Sequence, residues 1–299
     1  MIVVITGANS SAGRAILESA RIEAAPERLI AAVRSREAEE QIRSRFSNLA
    51  DVIRISYDDS STLDAAFREA SSAIHLAGIL VERPDSSYEQ ANVESTRSVV
   101  EAAKRNGLEK LVLVSAIGAD ENSANRYYRT KGQAEALVRA SGVRYTILRV
   151  PILLGSGTAG AAALRQHIRA GKARLIDGGR YRQQPLHVND LARAALIAVT
   201  QIAVAENATL QMAGPRSLLE RELVECAARS VGRPIRIRGV PKRVLSLALA
   251  IRERIAPRGF SRDALEVVAA DTDIDPQCAA AKLGIELTSI DDMIRDSLR

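Results

Sequence analysis

Short apolar, β-branched runs alternate with longer amphipathic stretches through the first half of the chain. The runs at residues 2–6, 28–33, 52–56, 73–77, 110–115 and 144–149 read as strands. Between them, residues 12–24, 37–46, 63–70, 88–106 and 126–141 carry helical periodicity. Strand, helix, strand at this spacing predicts βαβ units and a parallel sheet. The strand runs are almost continuously apolar, as expected where helices cover both faces. Right-handed crossovers then give an α/β, doubly wound parallel sheet of the Rossmann type. Past Pro151 the alternation loosens. The glycine-rich stretch 155–160 reads as a mobile loop, followed by a helix at 161–170 and a short strand near 174–176. The stretch 185–190 leads into a helix running to about 204, and the last helix is expected at 289–298. This divides the chain into a sheet domain, 1–150, and a largely helical portion packed on it, 151–299.

The first strand meets Gly7, small residues lead to Gly13, and a helix pattern follows. A strand, a tight turn and a helix start form an anion site suited to a nucleotide pyrophosphate. The middle glycine of the usual fingerprint is Ser10 here. At the end of the second strand, where an acid would bind a ribose 2′-hydroxyl, stands Arg34. A guanidinium suits a 2′-phosphate and points to NADP(H); the alternative is a solvated arginine at a strand end. Asp58, after the third strand, is either an acceptor for the adenine amino group or a helix cap. Ala77 and Gly78, after the fourth, either let backbone approach the cofactor closely or form a plain turn. Tyr127 and Lys131 are four apart on an expected helix and share a face. An ammonium there would lower the phenol pKa toward working pH. Ser115, ending the fifth strand, is placed to hydrogen-bond a substrate oxygen.

These residues resemble the short-chain dehydrogenase/reductase superfamily, whose pattern is a Thr-Gly glycine loop, a serine, and Tyr-x-x-x-Lys. The stretches Asn92-Val93-Glu94-Ser95-Thr96, Val114-Ser115-Ala116-Ile117-Gly118-Ala119, Leu148-Arg149-Val150-Pro151, Pro185-Leu186-His187-Val188-Asn189-Asp190-Leu191-Ala192 and Ala213-Gly214-Pro215 look like its atypical, extended branch. Within it the chain is most similar to the NAD(P)-binding family related to the accessory subunit of respiratory complex I, with NmrA-like proteins nearby. The resemblance implies that Gly7, Asn9, Ser10, Ser11, Ala12 and Gly13 wrap the pyrophosphate and that Arg34 meets the 2′-phosphate. It also implies that Lys131 contacts the nicotinamide ribose, that Tyr127 gives the proton during hydride transfer, and that Val150, Pro151 and Ile152 pack near the nicotinamide.

Composition is ordinary for a globular chain of 299 residues, 46% hydrophobic and 26% charged. No leader pattern or membrane-span-length run is visible, which gives a cytoplasmic expectation. The two cysteines, Cys226 and Cys278, read as buried or half-buried thiols; the three histidines are scattered, so no metal is expected. His75 reads as a strand residue and His167 as part of a surface helix.

The net charge of +6 is local: residues 233–262 hold nine Lys or Arg and one acid, Glu253, a net +8 that leaves −2 elsewhere. These cations lack interleaved aromatics, so nucleic acid is not an expected partner. Within this segment, 241–262 places an apolar helix core between cations. It reads as a packed helix with solvated ends, a contact with an anionic membrane surface, or a lid over a lipid-like substrate.

Together these features make an NADP(H)-dependent oxidoreductase the leading expectation, acting on a carbonyl, alcohol or quinone as small-molecule substrate, with an apolar one among the options. The rivals are a non-catalytic NADP(H)-binding assembly or redox-sensing protein and a nucleotide-sugar epimerase or dehydratase.

Overall fold

The computed structural model describes residues 1–22, 26–76, 78–256 and 258–299. The first half runs β1 (Ile2–Thr6), α1 (Ser11–Ser19), β2 (Arg28–Val33), α2 (Arg36–Phe46), β3 (Ala50–Arg54), α3 (Ser60–Phe67) and β4 (Ser72–His75). A π-helical turn, Glu89–Glu94, continues into α4 (Ser95–Arg105), then β5 (Lys110–Ala116), α5 (Arg126–Arg139) and β6 (Arg144–Val150). The second half holds β7 (Leu153–Leu154), α6 (Ala159–Ala170), β8 (Lys172–Ile176), β9 (Arg182–Gln183), β10 (Leu186–His187), α7 (Val188–Thr200) and β11 (Ala208–Gln211). It ends with β12 (Leu218–Leu219), α8 (Glu220–Ser230), β13 (Arg236–Val240), α9 (Lys242–Ile255), α10 (Arg262–Val268), α11 (Gln277–Leu283) and α12 (Ile290–Leu298).

Seven strands form one parallel sheet in the order β3-β2-β1-β4-β5-β6-β11. The chain winds outward from β1 in one direction, then returns to β4 and winds in the other. The β1/β4 boundary is therefore the topological switch point, the place where such sheets open a crevice at their strand carboxyl ends. Strand pleating divides the core: Val3 and Ile5 face α1, α2 and α7, whereas Val4 faces α3, α4 and α5. A third apolar cluster joins α6, β8, α8 and α12.

The chain does not leave the sheet for good at residue 150. Helix α7 packs on α1, and β11 pairs with β6 at the sheet edge. The portion clear of the sheet is built from α6, α8, α9, α10 and α12 with β8 and β13.

Other departures have local causes. Helix α1 is capped at Ala20, short of the expected 24, and residues 23–25 lie outside the described part. The stretch 155–160 is tied down rather than loose. Gly155 N donates to Ser297 Oγ at 2.9 Å, Ser156 N donates to Asp296 Oδ2 at 2.8 Å, and Thr158 caps α6. Cys226 is half-buried as expected, but Cys278 is exposed. Among the described residues no helix is long and apolar enough to cross a membrane, and no group of side chains is arranged to hold a metal.

One buried ion pair fixes α5 to β6. Glu135 is fully buried; its oxygens accept from Arg149 Nε at 2.8 Å and Nη2 at 2.6 Å, and from Arg139 Nη2 at 2.6 Å. The bidentate fork sets both rotation and height of α5 against the strand that ends at Val150.

Candidate active site

At the end of β1, Gly7 N donates to Ala32 O at 3.1 Å and turns the chain across β2. Ser10 is the N-cap of α1, with φ −70°, and its Oγ accepts from Gly13 N at 3.0 Å. Its backbone is ordinary, so the glycine of the usual fingerprint is not needed there; the serine instead closes one of the orphan amides of the helix start. The amides of Ser11 and Ala12 keep no intrahelical acceptor. Gly13 is indispensable for another reason: a Cβ there would stand 2.5 Å from Ala8 O. Only a bare backbone lets α1 lie this close to the turn. Asn9 is exposed at the tip, and Arg14 Nη1 donates to its carbonyl at 2.7 Å.

Arg34 is exposed beyond β2, with its guanidinium 6.0 Å from the centre of the Tyr57 ring. Asp58 is exposed in the loop beyond β3; the cap of α3 is Asp59, which accepts from Ser61 N at 3.0 Å, so the cap alternative for Asp58 falls. Ala77 lies outside the described residues.

Gly78 is beside Lys131. A Cβ at 78 would be 2.6 Å from Lys131 Nζ and 2.9 Å from Asn92 Oδ1, and φ is +151°. The backbone demands glycine, and a side chain there would push the Lys131 and Asn92 side chains aside, which favours close approach over a plain turn. Lys131 is buried and donates to Val114 O at 3.3 Å. Burial pulls its pKa down to about 8 against the opposing pull of Glu135. Asn92, in the π-helical turn, accepts from Ile79 N at 3.4 Å and donates to Thr130 Oγ1 at 2.9 Å. It stitches the loop after β4 to α5. Its importance was invisible from spacing, because it depends on the extra residue that the π turn inserts.

His75 lies under this cluster. Thr6 Oγ1 is 2.6 Å from Nδ1, Thr96 Oγ1 is 3.2 Å from Nε2, and the Thr96 hydroxyl donates to Asn92 O at 2.6 Å. With the Thr96 proton committed, the chain of bonds assigns the imidazole proton to Nε2 and leaves Nδ1 to accept from Thr6. The ring is neutral: burial, helped by the Lys131 charge, lowers its pKa to about 3.

Tyr127 is held by the start of α5. Asn125 caps that helix, accepting from Tyr127 N at 3.1 Å and Tyr128 N at 3.3 Å, and donates to Asp263 O and Glu266 Oε2, both at 3.0 Å. The Tyr127 ring lies 5.8 Å from Tyr88 and 5.6 Å from Tyr128. Burial pushes its phenol well above the usual range, and the two neighbouring tyrosines add to this. The expected lowering by Lys131 is therefore corrected. Sharing a helix face does not bring the ammonium to the phenol, and Lys131 spends a bond on Val114 O instead.

Tyr127, Tyr128, Val150, Pro151 and Ile152 line a cavity of about 370 Å³ with Ala116 and Ile117. Leu164, Leu223, Val224, Val267 and Val268 complete an apolar wall. His167, expected on a surface, is half-buried in this wall, and burial lowers its pKa. Glu220 also lines it; its Oε2 is buried without a hydrogen-bond partner among the described residues, and burial raises its pKa. Neither residue was found from sequence, since nothing local marks a side chain that meets its cavity through α6 or α8.

Ser115 Oγ is likewise buried with no partner among the described residues. An orphan hydroxyl costs about 1–3 kcal/mol, so it is a place for an incoming polar atom. The free amides of α1, the Lys131 ammonium and the bare backbone at Gly78 fit a dinucleotide lying across the switch point.

Residues 7–177 match the protein family described as NAD(P)H-binding. The chain is 25% identical over 251 residues to the mitochondrial NADH-ubiquinone oxidoreductase 40 kDa subunit of Neurospora crassa, covering 81% of this chain and 65% of that one. It is 30% identical over 142 residues to the ceramide reductase of Caulobacter vibrioides, covering 48% of this chain and 44% of that one. The match thus spans less than two thirds of either relative. The fold is shared with a nucleoside-diphosphate-sugar epimerase of Staphylococcus aureus, at a TM-score of 0.76 and 17% identity over 99% of this chain and 100% of that one.

The neutral His75 has a consequence for stability. Its pKa is about 3 in the folded protein and near 6.5 for a solvated imidazole, so between those values the unfolded chain takes up a proton that the native site refuses. The site's stability is full above about pH 6.5 and falls by about 1.4 kcal/mol per pH unit as pH drops toward 3. Urea unfolding of His75→Gln across this range should show a slope shallower than wild type by one proton. Equal slopes would mean that His75 titrates alike in both states.

Proposed function

The chain belongs to the NAD(P)H-binding family, of the atypical short-chain dehydrogenase/reductase type, and on that premise we propose that it is an NADP(H)-dependent oxidoreductase acting on a largely apolar carbonyl compound or quinone. The observation that carries this reading is Tyr127 in the wall of an apolar cavity beside Val150, Pro151 and Ile152. The bound nicotinamide supplies the hydride. Tyr127 keeps its proton because burial disfavours the phenolate, which makes it an acid for a carbonyl oxygen rather than a base. Ser115 offers its unused hydroxyl to the same oxygen. Lys131, charged below about pH 8, supplies the cation for the ribose and phosphates.

The lining supports an apolar substrate. It contains no Lys or Arg, so the pyrophosphate of a nucleotide sugar would enter without a counter-charge, which argues against epimerase or dehydratase chemistry. The two relatives' names, with ubiquinone in one and ceramide in the other, agree with an apolar substrate. The orphan Glu220 oxygen adds one demand: a hydroxyl or amide N–H on the otherwise apolar body. Arg34, exposed where an acid would select NAD, supports NADP(H).

Replacing Arg34 with Asp should weaken NADPH binding by about 100-fold, the value of a charge-assisted contact to phosphate, while NADH binding changes little. Fluorescence titration decides; equal losses for both cofactors would remove Arg34 from cofactor choice. In a screen of NADPH oxidation against lipophilic ketones and quinones, Tyr127→Phe should lower kcat by about 100-fold or more with NADPH affinity intact. Equal turnover by both proteins would exclude Tyr127 as the acid. Tight NADPH binding without turnover of any acceptor would favour a protein that holds its nucleotide unspent.

A further inference from the structure

Helix α9 carries its apolar residues on the side away from the protein. Val244, Leu247, Ile251 and Ile255 are 61%, 65%, 56% and 83% exposed. At 3.6 residues per turn these four fall on one stripe, with Ala248 within it. Leu249, its one buried residue, lies on the far side of the helix from this stripe. A helix packed on a globular core shows the opposite arrangement. A contiguous apolar stripe left facing outward marks an interaction surface.

Charge identifies what covers it. Arg243 flanks the stripe next to Leu247, Arg254 flanks it next to Ile251, and Arg258 follows the helix; all three are exposed and have no ion-pair partner among the described residues. Glu253, the one acid of the segment, is already engaged by Arg262, with its Oε1 accepting from the backbone N at 2.7 Å and its Oε2 from Nε at 3.0 Å. Beside Leu247 a hollow is lined by Arg180, Lys242, Arg243 and Arg262. Its one acid, Asp177, is held by the Tyr181 hydroxyl at 2.7 Å, the Lys242 amide at 2.8 Å and Arg180 Nη2 at 3.2 Å. A second copy of the chain docked on this stripe would bring Arg243, Arg254 and Arg258 against their own kind. A bilayer containing anionic lipid satisfies both parts, hydrocarbon for the stripe and phosphate for its rim.

We propose that α9 is an interfacial anchor, lying flat in the surface of an anionic phospholipid membrane with Val244, Leu247, Ile251 and Ile255 in the acyl boundary. At about 21 Å the helix is too short to span a bilayer and long enough to lie on one. Helix α10, which packs on α9, supplies Val267 and Val268 to the apolar cavity, so anchoring sets the cavity beside a reservoir of lipophilic molecules. The anchor itself stands whether or not the cavity turns anything over.

The test is co-sedimentation of the full chain with vesicles of phosphatidylcholine alone, and with about one third phosphatidylglycerol. Wild type should pellet at least about tenfold better with the anionic vesicles, and raised salt should release much of it. The double variant Leu247→Glu/Ile251→Glu should lose about tenfold or more of this binding, with its urea midpoint and NADPH affinity unchanged. The stripe is solvent-exposed, so its replacement should not unfold the protein. Failure of wild type to pellet at low salt would overturn the proposal. So would equal pelleting of the variant, or light scattering that shows a dimer dissolved by the double variant without vesicle binding.

Discussion

A single ammonium buried at the carboxyl edge of the sheet sets the terms for what surrounds it. Lys131 lies at the carboxyl ends of β4 and β5, beside Gly78 and Val114 O, where taking a charge out of water is costly unless neighbours compensate. Among the described residues the compensation is sparse: one carbonyl, Val114 O, at 3.3 Å, and Glu135 one turn along α5. Everything else makes room or avoids adding charge. Gly78 has no side chain to collide with Nζ, and His75 stays neutral in its bonds to Thr6 and Thr96. Asn92 and Thr130 bind each other rather than the lysine. A cation so little satisfied by its own protein is prepared for an anionic partner, and the free amides at the start of α1 face the same crevice logic.

The second half of the chain holds the chemistry in place. Asn125 caps α5 with its carbonyl oxygen and binds α10 with its amide, so Tyr127 and the Val267–Val268 wall of the cavity share one anchor. From the other side, the Glu135–Arg149 fork fixes α5 to β6 just before Val150 and Pro151. Tyr127 is therefore positioned by two independent ties, one to the sheet and one to the helical portion. Changes in the helical portion can reshape the cavity while both ties persist.

The sheet was legible because its strands are covered on both faces and therefore announce themselves as continuous apolar runs. The elements that escaped depend on distant partners. Strand β11 is a half-exposed edge with the pattern Ala208-Thr209-Leu210-Gln211, which carries almost no strand signature. The stretch 155–160 has the glycines of a free loop, but its restraint comes from Asp296 and Ser297 at the far end of the chain. The candidate site shows the same limit. The spacing of Tyr127 and Lys131 places both on α5, yet what each touches is set by Tyr88, Tyr128 and Val114. Ser10 is the reverse case: it departs from the glycine pattern, but helix capping explains it from local chemistry alone.

The central claim is that Lys131 supplies the charge that holds the dinucleotide, and the pH dependence of NADPH binding tests it most directly. Lys131 is protonated below about pH 8 and loses its charge above. The NADPH dissociation constant of the wild type should therefore rise as pH increases through about 8, and that of Lys131→Met should be weaker and flat over the same range. A wild-type constant that does not change across this interval, or a Lys131→Met profile that keeps the wild-type rise, would contradict the account.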